Sequence, residues 1–301
     1  MNQERTRVVA GLCVVSFVWG STWLAIKIGL QSVPPFFAAG VRFVIASAVL
    51  YAILRLRNIV VPWSADARRL YLTLIFLSYS IPFGIVYWGQ QYIPSGLSSI
   101  LFAAYPLWVA LFSHLLLANE RANVFKIIGI VLGFSGIYII FSGDIHWSQE
   151  YGFLGMCAVL LSATMQGISV VLTKKYGQPI SPFAMNHVGM LGGAVLLLLA
   201  AMILEPIGSA VWDGAAIGSI LYLSLVGSVI VFVTYHWLLK RVQAVYLSLT
   251  SFINPIIAVI LGAIILDEAL SPRVFLGAGL VLGGILVANG KKVYARIREA
   301  V

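Results

Sequence analysis

Ten apolar stretches take up nearly all of this chain, at roughly 8–30, 36–54, 70–92, 95–118, 125–142, 152–173, 183–204, 215–239, 243–266 and 272–290. A helix needs about 20 apolar residues to cross the hydrocarbon layer. Inside that layer every backbone N–H and C=O must find a partner within the protein, so helices and closed barrels are the only spanning forms. Barrel strands alternate in polarity over about ten residues, whereas segments such as 195–201 are apolar on every side. The pattern therefore predicts an all-α membrane protein with ten transmembrane helices. With 61% hydrophobic and only 10% charged residues, a soluble domain of this length is excluded. The first apolar run is too long for a signal-peptide core and no small-x-small site follows it, so it is expected to stay as a span.

Charge placement tests the span assignment independently. With the amino terminus in the cytoplasm, sixteen of the 19 lysines and arginines fall in inner segments, and only Arg273 falls in an outer loop. Asp144, Glu150, Glu205, Asp213, Asp267 and Glu268 fall outside. That asymmetry is the positive-inside pattern, and it predicts cytoplasmic location of both termini. The net charge of +9 is then a property of the inner membrane surface and implies no nucleic-acid partner. The expected partners are the lipid bilayer and a small-molecule substrate; no protein partner is expected, and the chain is read as a monomer. Loops are too short for an extramembrane catalytic domain. Cys13 and Cys157 both sit in spans, so no disulfide framework, metal cluster or cofactor is indicated.

The two halves repeat each other. At a nearly constant offset, Lys27 pairs with Lys174, Pro35 with Pro182, Phe36 with Phe183, Tyr87 with Tyr235, Pro106 with Pro255, Glu120 with Glu268, Gly129 with Gly277 and Gly136 with Gly284. The division predicted is 1–145 and 146–301, five spans each. An odd number of spans per copy forces the second copy to enter from the opposite side, the inverted repeat of alternating-access carriers. Trp19 against Gln166 and Arg42 against Gly189 mark places where the copies have diverged.

Some of these residues also carry a resemblance. Trp19-Gly20-Ser21-Thr22 followed by Lys27, Pro34-Pro35-Phe36 followed by Arg42, and Tyr87 through Tyr105-Pro106 to Glu120 occupy the first half, with Pro182-Phe183, Asn254-Pro255 and Glu268 in the second. Their order and repetition resemble the drug/metabolite transporter superfamily, specifically its EamA-type members built from two five-helix repeats, over nearly the whole chain. Within it the chain is most similar to the YddG-type exporters of aromatic amino acids and related metabolites. That resemblance implies a bacterial inner-membrane carrier that moves its substrate outward.

Candidate site residues follow from bilayer depth. Pro106 and Pro255 lack an N–H and should free carbonyls near the midplane of the fourth and ninth spans, where Tyr105 and Asn254 add a hydroxyl and an amide. Ser78-Tyr79-Ser80-Ile81-Pro82 in the third span and Gly227-Ser228 in the eighth are polar and small at similar depth. Simple packing kinks and serines bonded to their own helix are the competing readings. Trp19, one turn from Trp23, is deep enough to stack on a metabolite, and Gln166 takes its place in the second copy. The predicted substrate-binding set is Trp19, Tyr79, Tyr105, Gln166, Ser228 and Asn254, in a chamber lined by the first, third, fourth, sixth, eighth and ninth spans.

Lys27 and Arg42 are the basic residues placed inside spans. Lys27 is a candidate for gating or for snorkelling, and Arg42 is expected to pair with a helix-end carbonyl or an acidic residue. Glu120 and Glu268 end the fourth and ninth spans on opposite faces and are the paired gating candidates, each bonding across to a neighbouring helix end. No Asp or Glu sits at mid-span, so proton coupling, if present, would fall to His187 or His236. The glycines of the fifth span (Gly129, Gly133, Gly136) and of the tenth (Gly277, Gly279, Gly283, Gly284) predict close packing, with each helix held to its own half. The predicted function is secondary transport of small amphipathic metabolites, aromatic or other neutral amino acids. The alternatives are a passive channel, an intramembrane enzyme, or a carrier of drugs or nucleotide sugars. No nucleophile-base or metal-binding pattern supports catalysis, and the chain is read as not an enzyme.

Overall fold

The computed structural model describes residues 3–116, 124–142, 151–177, 179–239, 241 and 250–300, and among them there is no β-strand. Among the described residues there are thirteen α-helices. The first half holds α1 (Gln3–Gly29), α2 (Pro35–Leu56), α3 (Ala65–Leu74), α4 (Ile81–Gln90), α5 (Ser95–Phe102), α6 (Tyr105–Leu116) and α7 (Val124–Phe141). The second holds α8 (Gly152–Tyr176), α9 (Pro182–Leu204), α10 (Gly214–Ser224), α11 (Val231–Leu239), α12 (Thr250–Leu266) and α13 (Pro272–Ala300). Among the described residues seven stretches are long and apolar enough to cross a bilayer, three of them joining α3 to α4, α5 to α6 and α10 to α11; three shorter apolar helices lie at Ile127–Phe141, Ile253–Leu266 and Pro272–Val287. Large apolar side chains such as Ile264, Ile203 and Leu204 stay exposed, as lipid contact requires. This is a multi-pass membrane protein.

Chain entry into the helices is chemically marked. Pro35 and Pro182 occupy first-turn positions, where the missing N–H costs nothing. Ser64 and Asp213 cap the next helices by accepting from the N–H groups of Ala67 and Ala216. Glu205, at the end of α9, accepts from the N–H groups of Phe36 (2.6 Å) and Phe37 (2.9 Å) at the start of α2. Burial pushes its carboxyl above the ordinary range, and those two donors pull it part of the way back.

Two helices change pitch. Ile75–Ser80 between α3 and α4, and Leu225–Ile230 between α10 and α11, are π-helical turns at corresponding places in the two halves. A π turn inserts one extra residue and re-aims the side chains beyond it. The polar segments that the sequence marks at Ser78–Pro82 and Gly227–Ser228 fall on these turns. The fourth span is interrupted as Pro106 predicts, with Ala103 and Ala104 outside α5 and α6. Pro255, by contrast, lies inside a continuous α12.

The major contacts join the halves: α2 with α9, α7 with α13, α1 with α12 and with α10 and α11, and α8 with α3, α4, α5 and α6. The glycine pattern had been expected to hold α7 and α13 each to its own half. Instead these two helices pack on each other, so close that a Cβ on Gly136 would sit 2.5 Å from the carbonyl oxygen of Gly277. Gly279 and Gly283 face open space on the other side of α13.

Candidate functional site

A cavity of about 220 Å³ lies in the middle of the bundle. Its walls come from the six predicted spans, from α1, α3–α6, α8, α11 and α12, with Arg42 added from α2. Of the predicted substrate-binding set, Trp19, Tyr79, Tyr105, Gln166 and Asn254 line it.

Eight of the described lining residues are Phe, Tyr or Trp. Trp19 packs on Tyr235 (centroids 4.9 Å) and Phe232 (5.6 Å), Tyr79 packs on Phe232 (5.4 Å), and Phe102 stacks on Tyr105 (5.9 Å, 11° between planes). The Tyr105 and Tyr235 hydroxyls lie 3.3 Å apart. Tyr79 donates to Asn186 Oδ1 at 2.6 Å, and the Asn186 amide nitrogen lies 3.3 Å from His236 Nδ1. That chain places His236 at the wall, buried at 6% exposure.

Two predicted residues stand elsewhere. Ser228 does not line the cavity; its hydroxyl accepts from Arg42 Nε at 2.9 Å behind the wall. The extra residue of the π turn shifts the facing direction there, which a 3.6-residue count does not register. His187 packs against α2 instead, with Nδ1 3.0 Å from the Ser47 hydroxyl and 3.1 Å from its carbonyl. Glu120 lies outside the described residues.

Arg42 is 2% exposed and reaches the cavity. Nη1 donates to the Tyr87 hydroxyl at 3.1 Å and Nη2 to the Gly227 carbonyl at 3.0 Å, with the guanidinium carbon 5.0 Å from the Phe83 ring centre. That carbonyl lies within the π turn, where a helix-end carbonyl or an acidic residue was expected. Among the described residues no carboxylate pairs with it.

One end of the cavity is sealed. Trp23, Val86 and Ala258 form a buried cluster with Phe102, and two charged residues clamp the turn above it. Lys27 Nζ donates to the carbonyls of Gln90 (2.7 Å), Gln91 (3.1 Å) and Ile93 (3.0 Å) at the end of α4. Glu268 accepts from the Ser95 N–H (2.8 Å), the Ser95 hydroxyl (2.7 Å) and the Gly96 N–H (3.2 Å) at the start of α5. A cation on a helix C-terminus and an anion on an N-terminus both complement the local dipole. Glu268 thus reaches across to a neighbouring helix end, as its sequence position suggests. Toward the opposite end, which carries the amino terminus, the walls continue through Leu74, Ser113 and Thr173 to the exposed Lys174.

Sequence reasoning missed Phe83, Phe232 and Ser99 as wall residues. Ser99 Oγ is buried without a hydrogen-bond partner. The signal available was spacing, since Phe83 lies one turn from Tyr79 and from Tyr87, and Phe232 one turn before His236.

The profile of the EamA-like transporter family matches residues 6–142 and again residues 153–290. The chain belongs to the EamA-like transporter family. Among relatives, the uncharacterized transporter YoaV of Bacillus subtilis (strain 168) is 31% identical over 93% of this chain and 96% of its own. The uncharacterized inner membrane transporter YedA of Escherichia coli (strain K12) is 29% identical over 94% and 91%, and Protein PagO of Salmonella typhimurium is 29% identical over 95% and 95%. A protein of known crystal structure, 20% identical, aligns with a TM-score of 0.68 over 94% of this chain and 97% of that one. At that identity the likeness speaks to the fold alone. None of these EamA-type names specifies a substrate.

Proposed function

We propose that this EamA-family protein is a secondary transporter of small amphipathic metabolites, with aromatic and other neutral amino acids as the substrate class, in a bacterial inner membrane. The observation that carries the reading is the aromatic cavity at mid-bundle, sealed at one end and continued toward the other. A passive pore needs a path through both ends. A volume of about 220 Å³ is below the roughly 300–1,000 Å³ of drug-sized sites, which favours a single small metabolite over a nucleotide sugar.

Alternating access would come from two inverted five-helix halves, divided near residue 145. Three observations support this: the repeated match of the family profile, the paired π turns, and a contact pattern that maps onto itself when each helix is exchanged for its repeat counterpart. Lys27 and Glu268 act as the gate at the sealed end, with Lys174 and Glu120 as their repeat counterparts. With both termini on the cytoplasmic side, the gate of Lys27 and Glu268 stands at the outer face and the cavity continues toward the inner one. Outward movement and the likeness to YddG-type exporters belong to the same proposal.

The test is uptake of labelled phenylalanine into liposomes holding the purified protein, with amino-acid competitors, with and without a pH gradient. Saturable, competed uptake is expected. Tyr105→Ala and Asn254→Ala should each reduce it at least about tenfold, the size of one lost stacking or hydrogen-bond contact, while elution and thermal unfolding stay those of the parent. Normal kinetics in both variants would remove the cavity from the transport path.

A further inference from the structure

We propose that Arg42 is the anion-binding group of the cavity, and that the substrate class is a monocarboxylate with an aromatic or apolar body. The inference rests on the cavity being the substrate site and names which end of the substrate goes where. A buried full charge is costly unless it is paired. Arg42 is 2% exposed, yet its partners are a tyrosine hydroxyl, a serine hydroxyl and a backbone carbonyl, all formally neutral.

The donor count points the same way. A guanidinium has five N–H groups. Three are used, by Ser228, Tyr87 and Gly227, which leaves one on each terminal nitrogen without a protein acceptor among the described residues. Two parallel N–H donors are the fork that holds a carboxylate in bidentate fashion. The backs of these contacts fix the guanidinium before any substrate arrives, so little side-chain freedom is lost on binding.

The remaining walls define the other end of the substrate. Among the described residues no Asp or Glu lines the cavity; the charged ones that do are Arg42 and, toward the far end, Lys174. Phe83 lies under the guanidinium at 5.0 Å and contacts Phe232, which in turn contacts Trp19. An apolar or aromatic body therefore has a surface continuous with the anion site. Among the described residues, a substrate ammonium meets hydroxyls, amides, ring faces and the His236 imidazole, and no carboxylate. Recognition should depend on the carboxylate and little on the amino group.

The experiment uses the full chain in lipid nanodiscs and reads the intrinsic fluorescence of Trp19 and Trp23 at the cavity during titration with three probes: 3-phenylpropionate, phenylalanine and phenethylamine. Saturable changes are expected with the first two, and none with the amine over the same range. Arg42→Gln should weaken 3-phenylpropionate by roughly tenfold to a hundredfold, the loss of a charge-assisted hydrogen bond, with Arg42→Lys in between. Equal responses to the amine and the acid would overturn the Arg42 assignment, as would wild-type affinity for the acid in folded Arg42→Gln. Either result leaves the cavity itself as a binding site. No saturable response to any probe in wild-type protein would overturn the cavity reading and this inference with it. Where Arg42→Gln does not fold, the acid-against-amine comparison on wild-type protein decides alone.

Discussion

Alanine at Gly136 or Gly284 is expected to unfold or loosen the bundle, while alanine at Gly279 or Gly283 is expected to leave it intact or slightly firmer. All four changes add one methyl group, so only location separates them. At Gly136 the new Cβ would lie 2.5 Å from the Gly277 carbonyl oxygen and 2.8 Å from the Val281 nitrogen. At Gly284 it would lie 2.5 Å from the Gly129 oxygen and 2.7 Å from the Gly133 nitrogen. The obstructing atoms are backbone, so they yield only if α7 and α13 part along their length. Overpacking costs roughly 1–3 kcal/mol where side chains can adjust, and these sites belong at or above the top of that range. Gly279 and Gly283 meet nothing within 4 Å, and there the gain of about 0.5–1 kcal/mol for replacing a helical glycine applies. Thermal unfolding and size-exclusion profiles in detergent give the comparison. Equal behaviour of the two pairs would contradict the packing described.

The second large effect concerns the sealed end. Glu268→Ala removes three hydrogen bonds to a carboxylate and leaves the N–H groups of Ser95 and Gly96 without an acceptor at the start of α5. Glu268 is half-buried, so the net effect is set at about 2 kcal/mol, or roughly thirtyfold in the balance between sealed and unsealed forms. Lys27→Met should act in the same direction, because three carbonyls at the end of α4 lose their donor. A cysteine introduced at Ile26, 4% exposed and in the cavity wall near the seal, reports the change in a background where Cys13 and Cys157 are replaced. Maleimide labelling of Ile26→Cys should speed up when Glu268→Ala is added. Unchanged labelling would assign the clamp a purely local capping role.

The helices were legible in the sequence because hydrocarbon leaves the backbone no alternative, while the cap at Ser64, which starts α3 ahead of the span expected from about 70, was not read. Cavity residues were legible where polarity at bilayer depth is expensive: Tyr79, Tyr105, Gln166 and Asn254 had to face something other than lipid. Orientation was legible only that far. Phe83, four residues from both Tyr79 and Tyr87, and Phe232, four residues before His236, carried a helical-spacing signal that polarity alone did not bring out. Ser228 was misjudged because its span changes pitch at that point. The glycines announced close approach without naming the partner, and the partner of α7 turned out to be its own repeat counterpart.

That contact of like with like has a consequence for assembly. Under the inverted-repeat reading, α2 on α9 and α7 on α13 are each a helix against its duplicate, the self-complementary contact of a two-fold homodimer. A half-length chain inserted in both orientations would already possess both of these seams, and the covalent link would add only high effective concentration and a fixed one-to-one ratio of the two orientations. Once linked, the two copies were free to specialise. Arg42, opposed by Gly189 in the other half, is a residue that a strictly symmetric pair would have been obliged to carry twice.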